Sequence, residues 1–237
     1  MLINAAIASA TEQVSARVTS GAGWHPHDPP WVGIEGASVV LREPAVWRDA
    51  VGAHEVLHGS LRTALELAAE RIEDLRRDTR LRSFGLAGRY SGGACLGLEL
   101  IALPFDRPPS APSRWRDAEI GGPRCLALDD DAVALLAWAP RTPMEVWVLP
   151  RQGTAAFTAA SGRRLAALTE QVLACVAAAL SGAVIDIVLV EGEPWRLELR
   201  PRLTSDGVFE AATGVPAHGT FPEEATAFLH DFFPTPA

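Results

Sequence analysis

Trp195-Arg196-Leu197-Glu198-Leu199-Arg200-Pro201-Arg202-Leu203-Thr204 is the stretch whose reading decides the fold. An extended chain has a side-chain period of two, so Arg196, Arg200 and Arg202 fall on one face of a strand. Trp195 to Leu199 reads as a strand that follows another over Ile185 to Val190, across the turn Glu191-Gly192-Glu193-Pro194. A second informative run, Met144-Glu145-Val146-Trp147-Val148-Leu149-Pro150, predicts a strand over Glu145 to Leu149. Between these strands the spacing of Leu165, Leu168, Val172, Cys175, Val176, Ala179 and Leu180 predicts a helix over Arg163 to Leu180. Ser161 is placed to cap its start and Gly182 to stop it.

The same succession recurs upstream. Ser38 to Arg42 and His54 to His58 read as strands, and Leu61 to Arg77 reads as a helix with Ser60 as N-cap. Arg82 to Ala87 and Cys95 to Leu103 form a predicted hairpin around a turn at Gly88 to Gly93. Asp106 to Gly122, rich in Pro, Ser, Arg and Gly, reads as a linker. Beyond it, Pro123 to Leu128 and Ala132 to Trp138 are further strands, joined by the acidic turn Asp129-Asp130-Asp131, and Pro222 to Phe232 is a closing helix. An Ala-rich helix over Ile3 to Val18 and a Gly/Pro/His loop precede all of this. Runs of antiparallel strands broken by single long helices predict an α+β fold, with one unit used twice.

Composition sets limits on function. The 237 residues are 48% hydrophobic and carry a formal net charge of −8. That balance argues against a nucleic-acid partner, which needs a basic face to displace counterions. All 21 basic residues are Arg, so lysine-dependent chemistry such as a Schiff base is excluded. Cys95, Cys125 and Cys175 form no C-x-x-C pair, and their odd number does not suit a disulfide framework. The N-terminus lacks a basic n-region and no apolar run is long enough for a membrane span, so the expectation is a cytoplasmic protein without a membrane partner.

From Ser38 to Leu229 the order of short motifs resembles the galactose-1-phosphate uridylyltransferase-like family of the histidine-triad superfamily. His54-Glu55-Val56-Leu57, Ala102-Leu103-Pro104-Phe105, Ala137-Trp138-Ala139-Pro140, Glu145 to Pro150, Pro201-Arg202-Leu203-Thr204 and Thr213-Gly214-Val215 carry the likeness. It implies two histidine-triad-like modules, with antiparallel sheets and one long helix each. The expected divisions are an N-terminal appendage (1–36), a first module (37–106), a linker (107–122) and a second module (123–237). It also implies a homodimer.

Such proteins transfer a nucleotide through a histidyl intermediate, and that machinery is missing. The resemblance aligns Cys95 with the first histidine of the catalytic pair, Gly97 with the nucleophile and Glu99 with a phosphate-contacting Gln. Pro194 and Arg196 stand at the second pair. No histidine lies between His58 and His218. The leading expectation is therefore a degenerate or repurposed nucleotidyltransferase-like protein. It would bind an anionic small molecule, a nucleotide or sugar phosphate, without a histidyl-nucleotide intermediate. Arg196 and Arg200, with Phe209, Glu210 and Thr213 carried over from the resemblance, are the candidate ligand-binding residues. The arginines suit an anion but equally suit pairing with Glu198, Glu210 or the acidic turns. Two further readings remain. One is an enzyme of altered chemistry using Glu99, Arg196, Cys95 or a metal as catalytic groups. The other is a structural or regulatory partner whose cleft is filled by Leu86, Leu96 and Leu98. No cofactor is demanded. Relatives' structural zinc suggests a set of His25, His27, His58 and Cys95, and the alternative is a metal-free His loop with a core Cys.

Overall fold

The computed structural model describes residues 60–103, 106, 116–152, 157–192, 195–203, 208–217 and 219–233, together with the backbone of three earlier strands. Those strands are β1 (Val32–Glu35), β2 (Ser38–Leu41) and β3 (Gly52–Leu57). Helix α1 (Leu61–Leu75) follows, then β4 (Ser83–Ser91), β5 (Ala94–Leu103) and the single turn α2 (Arg116–Glu119). Next come β6 (Cys125–Leu128), β7 (Ala132–Leu136), β8 (Val146–Pro150) and α3 (Ala159–Ala179). The chain continues with β9 (Ile185–Val190), β10 (Arg196–Pro201), α4 (Val208–Thr213) and α5 (Pro222–His230). The α+β expectation holds. Among the described residues no helix is long and apolar enough to cross a membrane. The expected N-terminal helix and His loop lie outside the described residues.

All ten strands belong to one sheet, in the order β1-β2-β3-β5-β4-β9-β10-β8-β7-β6, and every pairing is antiparallel. The expectation of separate antiparallel sheets is therefore corrected to one continuous sheet. Its seam is the β4–β9 pairing, where Leu86, Ala87 and Gly88 lie opposite Leu189, Val188 and Ile187. On one side β5 sits between β3 and β4, the strands flanking α1. On the other, β10 sits between β8 and β9, the strands flanking α3.

Both long helices cover the same face. Leu65, Ala68 and Ile72 of α1 and Val172 and Val176 of α3 share one core with Leu86, Leu98, Leu100, Ile187, Leu189, Leu197 and Leu199. Each large side chain buried there contributes roughly 1.5–3 kcal/mol. A surface ion pair such as Arg71–Asp74 is worth about 0–1 kcal/mol, so the helix-side core decides the fold. Phe157 meets Trp195 edge to face at 4.8 Å and closes the core beside the start of α3.

Local signals explain most boundaries. Ser60 caps α1 by accepting the Thr63 N–H, as expected. Helix α3 starts earlier than its apolar spacing suggests, because Thr158 is the N-cap and Ser161 occupies N3 in a reciprocal capping box. The β4–β5 turn is also shorter than expected. Strand β4 runs through Gly88 to Ser91, and only Gly92 and Gly93, at φ 59° and 83°, make the turn. Strand β1 and helices α2 and α4 went unanticipated.

Helices α1 and α3 approach closely because Gly162 has no side chain. A Cβ there would lie 3.1 Å from the Leu65 carbonyl oxygen and 3.4 Å from the Phe157 ring. Gly162→Leu is predicted to lower stability by about 1–3 kcal/mol through overpacking. Urea denaturation checks this, and an unchanged midpoint would show that the helices do not meet there.

Candidate functional site

Because Leu197 and Leu199 point into the helix-side core, Arg196, Glu198 and Arg200 stand on the opposite face of β10, open in that neither long helix covers it, although Arg196 and Glu198 are buried there. Trp147 of β8 is the cross-strand partner of Glu198 and shares that face. Sequence order alone produces this alternation. What the residues do depends on neighbours that only the sheet brings in.

Five side chains form a circuit. Glu145 is buried, and its Oε2 accepts the Arg141 N–H at 2.7 Å and the Thr142 N–H at 3.4 Å. Its Oε1 accepts the Trp147 indole N–H at 2.6 Å. The Arg196 guanidinium stacks on the Trp147 ring, 4.1 Å from its centroid. Arg196 donates to Glu198 Oε1 from Nε at 2.8 Å and from Nη2 at 2.6 Å. Arg200 Nη2 donates to Glu198 Oε2, and Arg200 Nε lies 4.0 Å from Glu145 Oε1. Among the described residues that last gap leaves Arg200 Nε buried without a hydrogen bond, a deficit of about 1–3 kcal/mol.

Burial makes this network structural before it is anything else. The Arg196 and Glu198 side chains are 8% and 3% exposed, against 21% for Arg200. Two cations and two carboxylates balance, so the circuit is neutral. An anion arriving at Arg196 would have to displace both bonds to Glu198. Of the two readings left open for these arginines, pairing with Glu198 is the one the geometry displays.

The remaining candidates are dispersed. Glu99 shares the open face, but the line of cross-strand partners Glu99, Ala87, Val188 and Glu198 spans three strand spacings, about 14 Å. Cys95 turns the other way, packing against the helix-side core with its thiol 3.8 Å from the Gly97 carbonyl. Burial pushes that thiol's pKa up, which keeps it protonated and a poor nucleophile. Glu99, Arg196 and Cys95 therefore do not converge. Phe209, Glu210 and Thr213 lie on α4, which buries none of its residues. That helix bonds to itself, with Thr213 Oγ1 donating to the Phe209 carbonyl at 2.7 Å and Glu210 Oε1 accepting the Ala217 N–H at 3.2 Å. His25, His27 and His58 of the zinc set lie outside the described residues, and among those described no three His, Cys, Asp or Glu side chains gather as metal ligands. Of the leucines expected to fill a cleft, Leu86 and Leu98 belong to the helix-side core and Leu96 is exposed.

Gly97, aligned with the nucleophile, sits where strand β5 bulges. Between the pairs Gly88–Leu98 and Tyr90–Cys95, β5 carries one residue more than β4. Gly97 has φ 123°, a conformation that residues with a side chain rarely adopt. A Cβ on Gly88 opposite would come within 2.9 Å of the Gly97 carbonyl oxygen. The strand pair is thus shaped around two glycines, Gly88 and Gly97.

Sequence reasoning placed Glu145 and Trp147 on a strand without assigning them to the site. The signal was a Glu two residues before a Trp, a spacing that puts both on one face. Glu198→Ala should cost about 3–5 kcal/mol, because it strands Arg196 as a buried unpaired cation. The double change Arg196→Leu with Glu198→Leu should recover most of that loss. Urea denaturation of both variants checks the pair; equal destabilisation of the two would deny the ion pair its role.

No protein-family model matches the chain, and no curated protein matches it. Solved structures do. A GalT-like protein from Arabidopsis thaliana superposes with TM-score 0.64 at 18% identity, covering 88% of this chain and 86% of its own. An ADP-glucose phosphorylase from Arabidopsis thaliana, with ADP-glucose bound, gives 0.61 at 17% identity, covering 82% of each chain. A uridylyltransferase gives 0.67 at 12% identity, covering 89% of this chain and 92% of its own. The chain therefore shares the fold of these GalT-like, ADP-glucose phosphorylase and uridylyltransferase structures.

Proposed function

We propose that this protein is a repurposed nucleotidyltransferase-like protein. It binds a nucleotide or sugar phosphate and forms no histidyl-nucleotide intermediate. The observation that carries this reading is the bulge at Gly97. The resemblance puts the nucleophile there, and φ 123° leaves no ordinary place for an imidazole. The neighbouring Cys95 faces the helices with its thiol protonated, and a guanidinium such as Arg196 keeps its proton and supplies no lone pair. Support for an anionic ligand comes from the fold alone, one of whose bearers holds ADP-glucose.

The same reading divides the chain into two histidine-triad-like modules, 37–106 and 123–237, joined by residues 107–122 and preceded by an appendage of 1–36. Its support is the mirrored arrangement about the seam, β3-β5-β4 facing β9-β10-β8, each with one long helix. In this reading the protein is a cytoplasmic homodimer.

Purified protein incubated with UDP-glucose or ADP-glucose is expected to melt higher, with its intact mass unchanged. Free ligand at a hundred times Kd stabilises by about 2.7 kcal/mol, well within a thermal-shift measurement. Gly97→His is expected to form no adduct either. A nucleotidyl mass increase in the native protein, or no shift with any nucleotide or sugar phosphate, would overturn the reading.

A further inference from the structure

A row of side chains runs on from Arg200, the last member of the circuit around Glu198, along the same face. Arg89 of β4, Asp186 of β9 and Arg200 of β10 are successive cross-strand partners. Their neighbours Tyr90, Ile185 and Ile187 pack in the helix-side core, which places the three on the open face. Arg202, just past the end of β10, reaches back to the same carboxylate. Arg202 Nε donates to Asp186 Oδ2 at 2.7 Å, and Arg89 Nε stands 3.6 Å from Asp186 Oδ1. A single carboxylate thus serves two guanidiniums, each engaged through Nε. Among the described residues neither arginine has another ion pair.

The charge does not balance here. Among the described residues, Arg89, Arg202 and Asp186 sum to one positive charge. This is a local cationic spot on a chain whose formal net charge is −8. It is also reachable. The side chains of Arg89 and Arg202 are 49% and 54% exposed, whereas Arg196, stacked on the Trp147 ring, is buried. Two guanidiniums held about a shared carboxylate present several N–H donors at once, the arrangement that suits a phosphate's oxygens. Asp186 fixes the arginines while its own charge opposes the ligand, and the net positive charge of the three draws a doubly charged phosphate group more strongly than a singly charged anion.

We propose that Arg89 and Arg202, held by Asp186, form the anion subsite, and that it takes the phosphate or diphosphate group of the ligand. The inference rests on the nucleotide or sugar-phosphate reading and moves the anchor from Arg196 to this row. The side chains involved are half exposed, so replacing them leaves the buried core intact.

Isothermal titration with inorganic pyrophosphate and with UDP-glucose, on the full chain, tests it. Arg89→Gln combined with Arg202→Gln is expected to weaken both ligands by about tenfold or more, as loss of charge-assisted hydrogen bonds requires. Asp186→Asn is expected to tighten pyrophosphate several-fold, because it removes the opposing charge. Arg80→Gln, whose arginine pairs with Asp78 elsewhere, serves as the control and should change neither. UDP-glucose binding that is the same in native, Arg89→Gln/Arg202→Gln and Asp186→Asn proteins would overturn the subsite and leave the ligand reading standing. Native protein that binds pyrophosphate but neither nucleotide sugars nor sugar phosphates would overturn the ligand reading and keep the row as an anion site.

Discussion

The pairing of β4 with β9 is the constraint on which the rest depends. It joins strands that precede α2 to strands that follow it, making one sheet out of two groups. Leu86 and Leu189 meet across it under the two long helices, so the hydrophobic core is continuous from α1 to α3. The close approach at Gly162 and Leu65 ties the helices above the same junction. Without the seam, Arg89 would not lie opposite Asp186, nor Ala87 opposite Val188, and the open face would have no common register.

Physical scale separates the roles of the two polar groups on that face. Arg196, Glu198, Trp147 and Glu145 are largely removed from water, where an ion pair survives only with good geometry and satisfied partners. They hold β8 against β10 and fasten the turn at Arg141 and Thr142. Arg89, Asp186 and Arg202 are in partial contact with solvent, where ion pairs are individually weak and exchange partners easily. Weakness there is what permits a ligand to compete. The sheet thus keeps its rigid polar network on one side of β10 and its exchangeable one on the other.

Much of the framework was legible in the sequence. The apolar spacing of Leu65, Ala68 and Ile72 and the cap at Ser60 gave α1, and the alternation through Leu197 to Arg200 gave β10 with its faces correctly assigned. Gly88 misled: it reads as a turn residue but lies within β4, where the Gly97 bulge leaves no room for a Cβ. Helix α3 was read as starting at Arg163 because Thr158 and Ser161 act as a reciprocal pair, a signal weaker than the apolar stripe. The site was less legible for a plain reason. Which carboxylate an arginine chooses is fixed by strand register between residues far apart in the chain. Neither the Trp147 ring beneath Arg196 nor the carboxylate shared by Arg89 and Arg202 is written in any local pattern.

Amide hydrogen exchange at the seam is the most direct measurement. If β4 and β9 are central strands of one cooperative sheet, the amides that bond across the seam around the Ala87–Val188 pair open only with global unfolding. They should then match the protection of Leu197 and Leu199 in β10. Faster exchange at the seam, while β9–β10 and β4–β5 stay protected, would mean that the two strand groups open independently. The continuous face, and the arginine row built across it, would then lose their basis.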